Sequence, residues 1–460
     1  MTIDFAKYYT AIESADLLEH AGRVTKIVGL AVEASGPPSK IGDICQMYTL
    51  DGERYVNAEI VGFRDEQTLL MPFGSVEGVG LGSYVTYTGT TLRVPVGRDL
   101  AGRILDALGH PFDDLPPPKT EAWYPADNVP PNPLARERIS EVLPLGIKAI
   151  DSLLTVGRGQ RLGIFSGSGV GKSTLLGMIA RYAVADVNVI VLVGERGREV
   201  RDFVERDLGE EGLRKSVLVI ATSDQPALLR LKCAMTGTAI AEYFRDCGYK
   251  VLLLMDSLTR FAMAQREIGM AAGEPPVSRG FPPSVYALLP KLLERSGMSD
   301  KGSITGLYTV LVEGDDLNEP ISDTVRGILD GHIVLSRSIA NSNHYPPIDI
   351  LGSVSRVMPD IITPDHMEAF GVVKNMIAVY REAEDLINIG AYKQGANPQI
   401  DRAVQLHQAI QSFTRQGVDE HYTFDETLDM MAGIVERGEL RAEKRDRRNR
   451  AGAVDRRRAP

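Results

Sequence analysis

The chain has 460 residues, 43% apolar and 24% charged, with a formal net charge of −10, a composition that fits a globular protein of two or three domains. No run approaches the roughly eighteen apolar residues of a membrane span, and the opening MTIDFAKYYTAIESADLLEHAG lacks the basic, apolar and small-residue regions of a secretory signal. The acidic balance argues against a dedicated nucleic-acid binder, and Cys45, Cys233 and Cys247 fit neither a disulfide framework nor a metal-site spacing, which predicts buried thiols in a reducing cytoplasm.

Residues 1–22 place Phe5, Tyr8, Tyr9 and Ile12 at helical spacing, followed by Leu17 and Leu18. The pattern predicts a short amphipathic helix that docks on a partner or on the chain's own barrel. From 23 to 95 the character changes. The short stretches VTKIVGLAVEA, ICQMYTL, NAEIVGF, TLLMPF and SYVTYTG are separated by Gly, Pro and Asp clusters, the spacing of a small β-barrel. The prolines that follow, from Pro111 through Pro116–Pro118 to Pro133, predict an extended connection.

Beyond residue 145, RLGIF, VNVIVLV, SVLVIA, VLLLMD, YTVLV and HIVLSR are apolar runs of strand length alternating with helical segments. Runs apolar on both faces suit a buried parallel sheet covered by helices. After about residue 365 the strands give way to three helical segments, the last with Thr423 and Glu426 in capping-box spacing. Residues 441–460 carry nine basic and three acidic residues, so the first 440 carry −16 and the basic tail reads as disordered.

Ligands of a parallel sheet bind at the carboxyl ends of its strands. The strand LGIF runs into Ser166, Gly167, Ser168, Gly169, Val170, Gly171, Lys172, Ser173 and Thr174, then into the helical TLLGMIARYA. This is a phosphate-binding loop with Ser166 at the position usually held by its first glycine. The remaining glycines let backbone N–H groups approach phosphate oxygens, Lys172 reaches the β- and γ-phosphates, and the Ser173 hydroxyl ligates Mg²⁺. Asp256 ends KVLLLMD, where a carboxylate can hold the Mg²⁺ shell. Glu195 ends VNVIVLVGE, placed to polarise an attacking water. Together they predict Mg²⁺-dependent hydrolysis of a nucleotide.

GIKAIDSLLTVGRGQRLGIFSGSGVGKSTLL, VGERGREVRDF, LLLMDSLTRFAMAQREI, VEGDDLNEPISDTVRGILDGHIVLSR and HYPPIDILGSVSRVM together resemble the type III protein-export ATPases, relatives of the catalytic subunit of rotary ATP synthases. The resemblance implies an α/β protein: a β-barrel over 23–95, a RecA-like ATPase domain with the linker over 96–365, a helical domain over 366–438 and a tail over 439–460. It also implies roles. Glu195 matches the catalytic glutamate, Arg196 the residue beside it, Arg260 an arginine near the γ-phosphate, Tyr345 the residue that stacks on adenine, and Arg356 an arginine finger given to a neighbouring subunit. A chain holding both Glu195 and Arg356 can give and receive the finger, which predicts a homohexamer.

Residues 269–290, with Phe281, resemble the pore loop that meets a central coiled-coil stalk. The family further implies a stator-like regulator at the N-terminus, chaperone–cargo complexes, export-gate membrane proteins and a place at the cytoplasmic face of the export apparatus. The N-terminal segment and QAIQSFTRQGVDEHYTFDETLDMM resemble the flagellar branch, with the injectisome branch the alternative. A catalytic rotary subunit and a hexameric transcription-termination helicase are the other readings. The acidic balance and an expected lack of aromatic-plus-basic strand surface on the barrel stand against the helicase.

Overall fold

The computed structural model describes residues 9, 21–36, 39–312 and 316–436. The expected N-terminal helix, but for Tyr9, Ala21 and Gly22, and the basic tail lie outside the described residues.

Six antiparallel strands, β1 (Ala21–Val28), β2 (Ala31–Ser35), β3 (Asp43–Tyr48), β4 (Tyr55–Arg64), β5 (Gln67–Pro72) and β6 (Tyr84–Thr91), close a barrel in the order β1-β2-β5-β4-β3-β6. Closure leaves no strand edge unpaired. Alternation sends Cys45 and Met47 of β3 inward beside Val24, Val32, Ile60, Leu70 and Val85. The outside is less plain than expected. Arg23 lies over Tyr84 at 5.5 Å and Tyr48 pairs with Tyr55 at 5.7 Å, so the barrel does carry a small aromatic and basic surface. Cys45 and Cys233 are buried, as expected, but Cys247 is exposed.

The proline-rich connection is more structured than its composition suggests. β7 (Arg93–Val96) pairs antiparallel with β9 (Ala122–Pro125), and β8 (Ile104–Asp106), lying before the prolines, adds to the large sheet alongside a later strand. Leu105 is fully buried there, an anchor that three residues of apolar pattern are too short to announce.

The large sheet also contains β10 (Arg161–Ser166), β11 (Val187–Glu195), β12 (Ser216–Thr222), β13 (Lys250–Asp256), β14 (Gly297–Met298), β15 (Ser303–Leu311), β16 (Gly331–Leu335) and β17 (Val354–Ser355). Its order is β17-β16-β10-β15-β13-β11-β12-β8, parallel from β16 to β8, with β17 antiparallel at one edge and β14 antiparallel on β15. Both faces are covered, as apolar runs without alternation require. Val189, Val191 and Val193 of β11 face a core shared with helices α2 (Ala227–Asp246), α3 (Leu258–Ala272) and α4 (Pro283–Leu293). Ile190 and Leu192 face a second core shared with α1 (Lys172–Tyr182), α5 (Pro364–Asn388), α6 (Pro398–Thr414) and α7 (residues 424–436). The capping box at the start of α7 is formed: Thr423 N–H donates to Glu426 Oε2 at 2.8 Å and Glu426 N–H to Thr423 Oγ1 at 3.3 Å.

Buried charge fastens the parts. Glu242 of α2 accepts two hydrogen bonds from Arg295, at 2.8 and 2.9 Å, and Arg295 also donates to the Ala126 carbonyl at 2.7 Å, pinning the connection to the sheet domain. Lys232 of α2 lies 2.6 Å from Glu59 of β4, joining that domain to the barrel. Burial pushes the Glu59 carboxyl up while Lys232 opposes it. A buried charge that loses its partner is strongly destabilising, whereas an apolar replacement of the whole pair is often neutral. Lys232→Met should therefore cost about 3–5 kcal/mol, and Glu59→Leu with Lys232→Met should recover most of it, as checked by urea denaturation.

Candidate active site

β10 carries the chain to Ser166 through buried Leu162, Ile164 and Phe165. Past Gly167 the loop turns through two left-handed positions, Gly169 at φ +76° and Gly171 at φ +88°, conformations open to glycine at little steric cost. Val170 between them is 2% exposed and plugs the loop into the core below. α1 then opens at Lys172. Its N-cap, Gly171, supplies no side-chain cap, so the first N–H groups of the helix remain available to an anion. Leu175, Leu176, Met178 and Ile179 hold α1 against the sheet. Gly177 permits close approach of the next layer: a Cβ there would sit 2.6 Å from the Asp207 carbonyl.

The sheet order sets the chemistry. β10, β15, β13 and β11 are consecutive neighbours, and all end on the same side. β10 delivers the loop and Lys172, β13 delivers Asp256 and β11 delivers Glu195. Lys172 Nζ lies 2.5 Å from Asp256 Oδ1 and 3.9 Å from Glu195 Oε1. Thr309 near the end of β15 donates from Oγ1 to Asp256 Oδ1 at 2.7 Å. The Glu195 carboxyl is pushed up to about 7, first by burial and then by the negative charge of Asp256, with Lys172 pulling the other way. Glu195 Oε1 is buried without a hydrogen-bond partner among the described residues, with Lys172 Nζ still 3.9 Å away.

Arg260 stands on the first turn of α3, whose N-cap Ser257 accepts from the Arg260 N–H. Its side chain lies against Gly194: a Cβ at that glycine, itself at φ +69°, would be 3.2–3.5 Å from Arg260 Cβ, Cγ and Cδ. Any larger residue beside Glu195 would displace this arginine. The Tyr345 ring lies over the end of the loop, 3.6–3.7 Å from where a Gly171 Cβ would be, and remains 44% exposed. A ring held beside the loop with open surface can stack on a planar base.

The other expected residues stand apart. Arg196 points outward to Glu199 at 3.3 Å and does not join the carboxylates. Arg356 is exposed and follows β17, at the amino end of β16, with its N–H on the Asp330 carbonyl. Because Ser166 pairs with Leu335 and Ser355 with Gly331, four residues of strand, on the order of 13 Å, separate Arg356 from this chain's own loop. Ser166 is buried and its Oγ has no partner among the described residues. Ser173 is exposed at the second helical position, while Thr174 interacts with Asp207. Phe281 is buried, with Arg266 at 5.2 Å over its ring, because its side chain completes the core under α3 and α4. It offers little surface to a stalk; the exposed apolar residues of the same segment are Met270 and Val277.

Sequence reasoning missed three residues. Thr309 carries the one aliphatic hydroxyl of YTVLV, on a strand otherwise read only as apolar. Arg337 donates to the Ser168 carbonyl at 3.3 Å. Gln416 is buried, its backbone N–H donating to the Tyr345 carbonyl at 2.9 Å and its side chain bridging the Gly146 carbonyl and the Lys148 N–H. No group of three or more His, Cys, Asp or Glu able to hold a metal exists among the described residues. The hydroxyl of Ser173 and the carboxylate of Asp256 are oxygen donors of the kind Mg²⁺ takes, an ion commonly held by one or two side chains plus phosphates.

Three family models match in order: the ATP synthase alpha/beta family β-barrel domain over 24–89, its nucleotide-binding domain over 146–355, and the T3SS EscN ATPase C-terminal domain over 362–433. The "Flagellum-specific ATP synthase" of Bacillus subtilis is 53% identical over 92% of this chain and 97% of its own. The "Type 3 secretion system ATPase" of Xanthomonas euvesicatoria is 49% identical over 90% and 94%. The chain belongs to the family of type III export ATPases. Among solved structures, the assembled ATPase EscN of the enteropathogenic E. coli type III secretion system matches with TM-score 0.86 and 46% identity over 90% of this chain and all of that one. EscN in complex with its central stalk EscO matches at 0.84 and 45% over the same shares. This export ATPase therefore hydrolyses ATP.

A general base must be ionised to act, and kcat/KM reports the free enzyme. With the Glu195 carboxyl at about 7, kcat/KM for ATP should fall as pH drops below 7 and level off above it. A profile flat from pH 5.5 to 8.5 would remove Glu195 from the role of base.

Proposed function

We propose that ATP hydrolysed at this site energises or regulates type III export of flagellar proteins, releasing chaperones and delivering unfolded cargo to an export gate. The observation that carries the reading is the convergence of Lys172, Glu195 and Asp256 within 4 Å at the ends of neighbouring parallel strands. The loop from Ser166 to Thr174 wraps the phosphates, with Lys172 drawn onto the β- and γ-oxygens. Glu195 orients the attacking water and takes its proton. Arg260, braced on Gly194, faces the transferring phosphoryl group, and Tyr345 stacks on the adenine. Ser173 and Asp256 would hold Mg²⁺, which when bound neutralises phosphate charge. Arg196 has no part in this scheme beyond shaping the turn after Glu195.

Arg356 acts in trans. Its exposure, and its distance from this chain's own loop, support a finger offered to the next copy. One chain that holds both Glu195 and Arg356 closes a homohexamer with sites between subunits. The assembled EscN supports that arrangement, and its complex with EscO supports a central coiled-coil stalk as partner, met here by the loop bearing Val277. A stator-like regulator binding residues 1–22, export-gate membrane proteins and chaperone–cargo complexes complete the setting at the cytoplasmic face of the export apparatus. No helix among the described residues is long and apolar enough to cross a membrane.

The flagellar assignment draws on the N-terminal and 408–431 sequence, and relatives of comparable identity carry both flagellar and secretion names. Injectisome secretion is the second reading.

An arginine finger is worth about 10³–10⁵ in turnover. Arg356→Ala should bind nucleotide normally and lose that rate, and mixing it with Glu195→Gln subunits should restore hydrolysis, because intact sites then form across mixed interfaces. No recovery on mixing would exclude the trans role. In the source cell, chromosomal Glu195→Gln should abolish flagellar filaments counted by electron microscopy without slowing growth; normal filaments would move the function to injectisome secretion.

A further inference from the structure

Thr309 is fully buried on β15, among Leu307, Tyr308 and Val310. A buried hydroxyl is costly unless its hydrogen bonds are made. The nearest acceptors of its proton are Asp256 Oδ1 at 2.7 Å and the Met255 carbonyl at 3.4 Å, so the close bond goes to the carboxylate. Asp256 Oδ1 thus receives two donors, Thr309 Oγ1 and Lys172 Nζ, while Oδ2 has no hydrogen bond among the described residues.

The two strand ends are also fastened to each other. Thr259 on the first turn of α3, three residues after Asp256, accepts from the Leu311 N–H at 2.8 Å, two residues after Thr309. β13 and β15 pair directly below, Met255 opposite Tyr308. The Thr309 hydroxyl and the carboxylate are therefore held in register from both sides.

We infer that Thr309 is a positioning residue that fixes Asp256 by its Oδ1 and leaves Oδ2 turned to the metal of a bound Mg·ATP. The inference rests on the reading of Asp256 as the metal-holding carboxylate. Its consequence appears when phosphate draws Lys172 away: Thr309 is then the remaining donor on Oδ1, and without it the carboxylate is free to rotate and its preferred face is lost. A charge-assisted hydrogen bond is directional enough to impose that choice.

Equilibrium binding of a fluorescent mant-ATP, titrated with Mg²⁺ and measured separately in EDTA, tests this without reference to turnover. Thr309→Val keeps the shape and removes the donor. It should bind mant-ATP in EDTA within twofold of the parent and need roughly tenfold more Mg²⁺ for half-maximal tightening, the scale of one hydrogen bond to a charged group. Thr309→Ser keeps the donor and should behave as the parent. Thr309→Ala removes the donor without retaining the methyls beside the carboxylate, and carries the same expectation as Thr309→Val should the latter fold poorly. Asp256→Asn separates the two levels of the argument. If it leaves the Mg²⁺ requirement unchanged, the metal role of Asp256 fails. If it raises the requirement while Thr309→Val and Thr309→Ala do not, the metal role stands and the positioning role of Thr309 is wrong.

Discussion

One ammonium group organises this protein's site. Lys172 Nζ lies between Asp256 and Glu195, and the rest of the catalytic end is arranged around that charge. Two carboxylates so close and so little exposed repel one another when both are charged, and one ammonium offsets only part of that. Asp256 takes the short contact with Lys172. Glu195, buried first of all, then repelled by Asp256 and farther from the cation, has its carboxyl raised to about 7. Burial together with the geometry that pairs Lys172 with Asp256 thus gives Glu195 the proton affinity that the proposed base would need near neutral pH.

That cluster exists because four strands end side by side. β10, β15, β13 and β11 are distant in the chain, and only their order in the sheet makes Thr309, Asp256 and Glu195 neighbours of the loop. Apolar faces on both sides of β11 hold the sheet between two cores, so the strand ends cannot shift independently. Gly194 and Gly171 stand beside Arg260 and Tyr345. A Cβ at the first would press on Arg260 at 3.2 Å, whereas one at the second would only touch Tyr345, and there the left-handed backbone at φ +88° is what favours glycine.

The outer parts connect to the site through polar contacts. Gln416, beyond α6, holds the backbone of Tyr345 and the segment around Gly146 and Lys148, so the helical end is tied to the residue over the loop. A cleft of about 540 Å³, lined by Ile348, Tyr380, His407 and Ile410 among others, separates the same helices from the strand-end loops. On the other side, Glu59 and Lys232 hold the barrel to α2.

Much of this was legible in the chain. The phosphate loop announces itself because its chemistry requires consecutive residues, and Glu195 and Asp256 were found because apolar strands ending in a carboxylate are visible without knowing their neighbours. Periodicity likewise distinguished barrel, sheet and terminal helices, since each buries its apolar residues with a different spacing. Sequence alone could not supply proximity. That Thr309 donates to Asp256, that Phe281 is buried beneath Arg266, that Arg196 turns away and that Arg356 lies at the far end of β16 all depend on sheet order and helix packing. Local pattern fixes what each segment can become, whereas contacts between segments hundreds of residues apart are decided only when two cores close on one sheet.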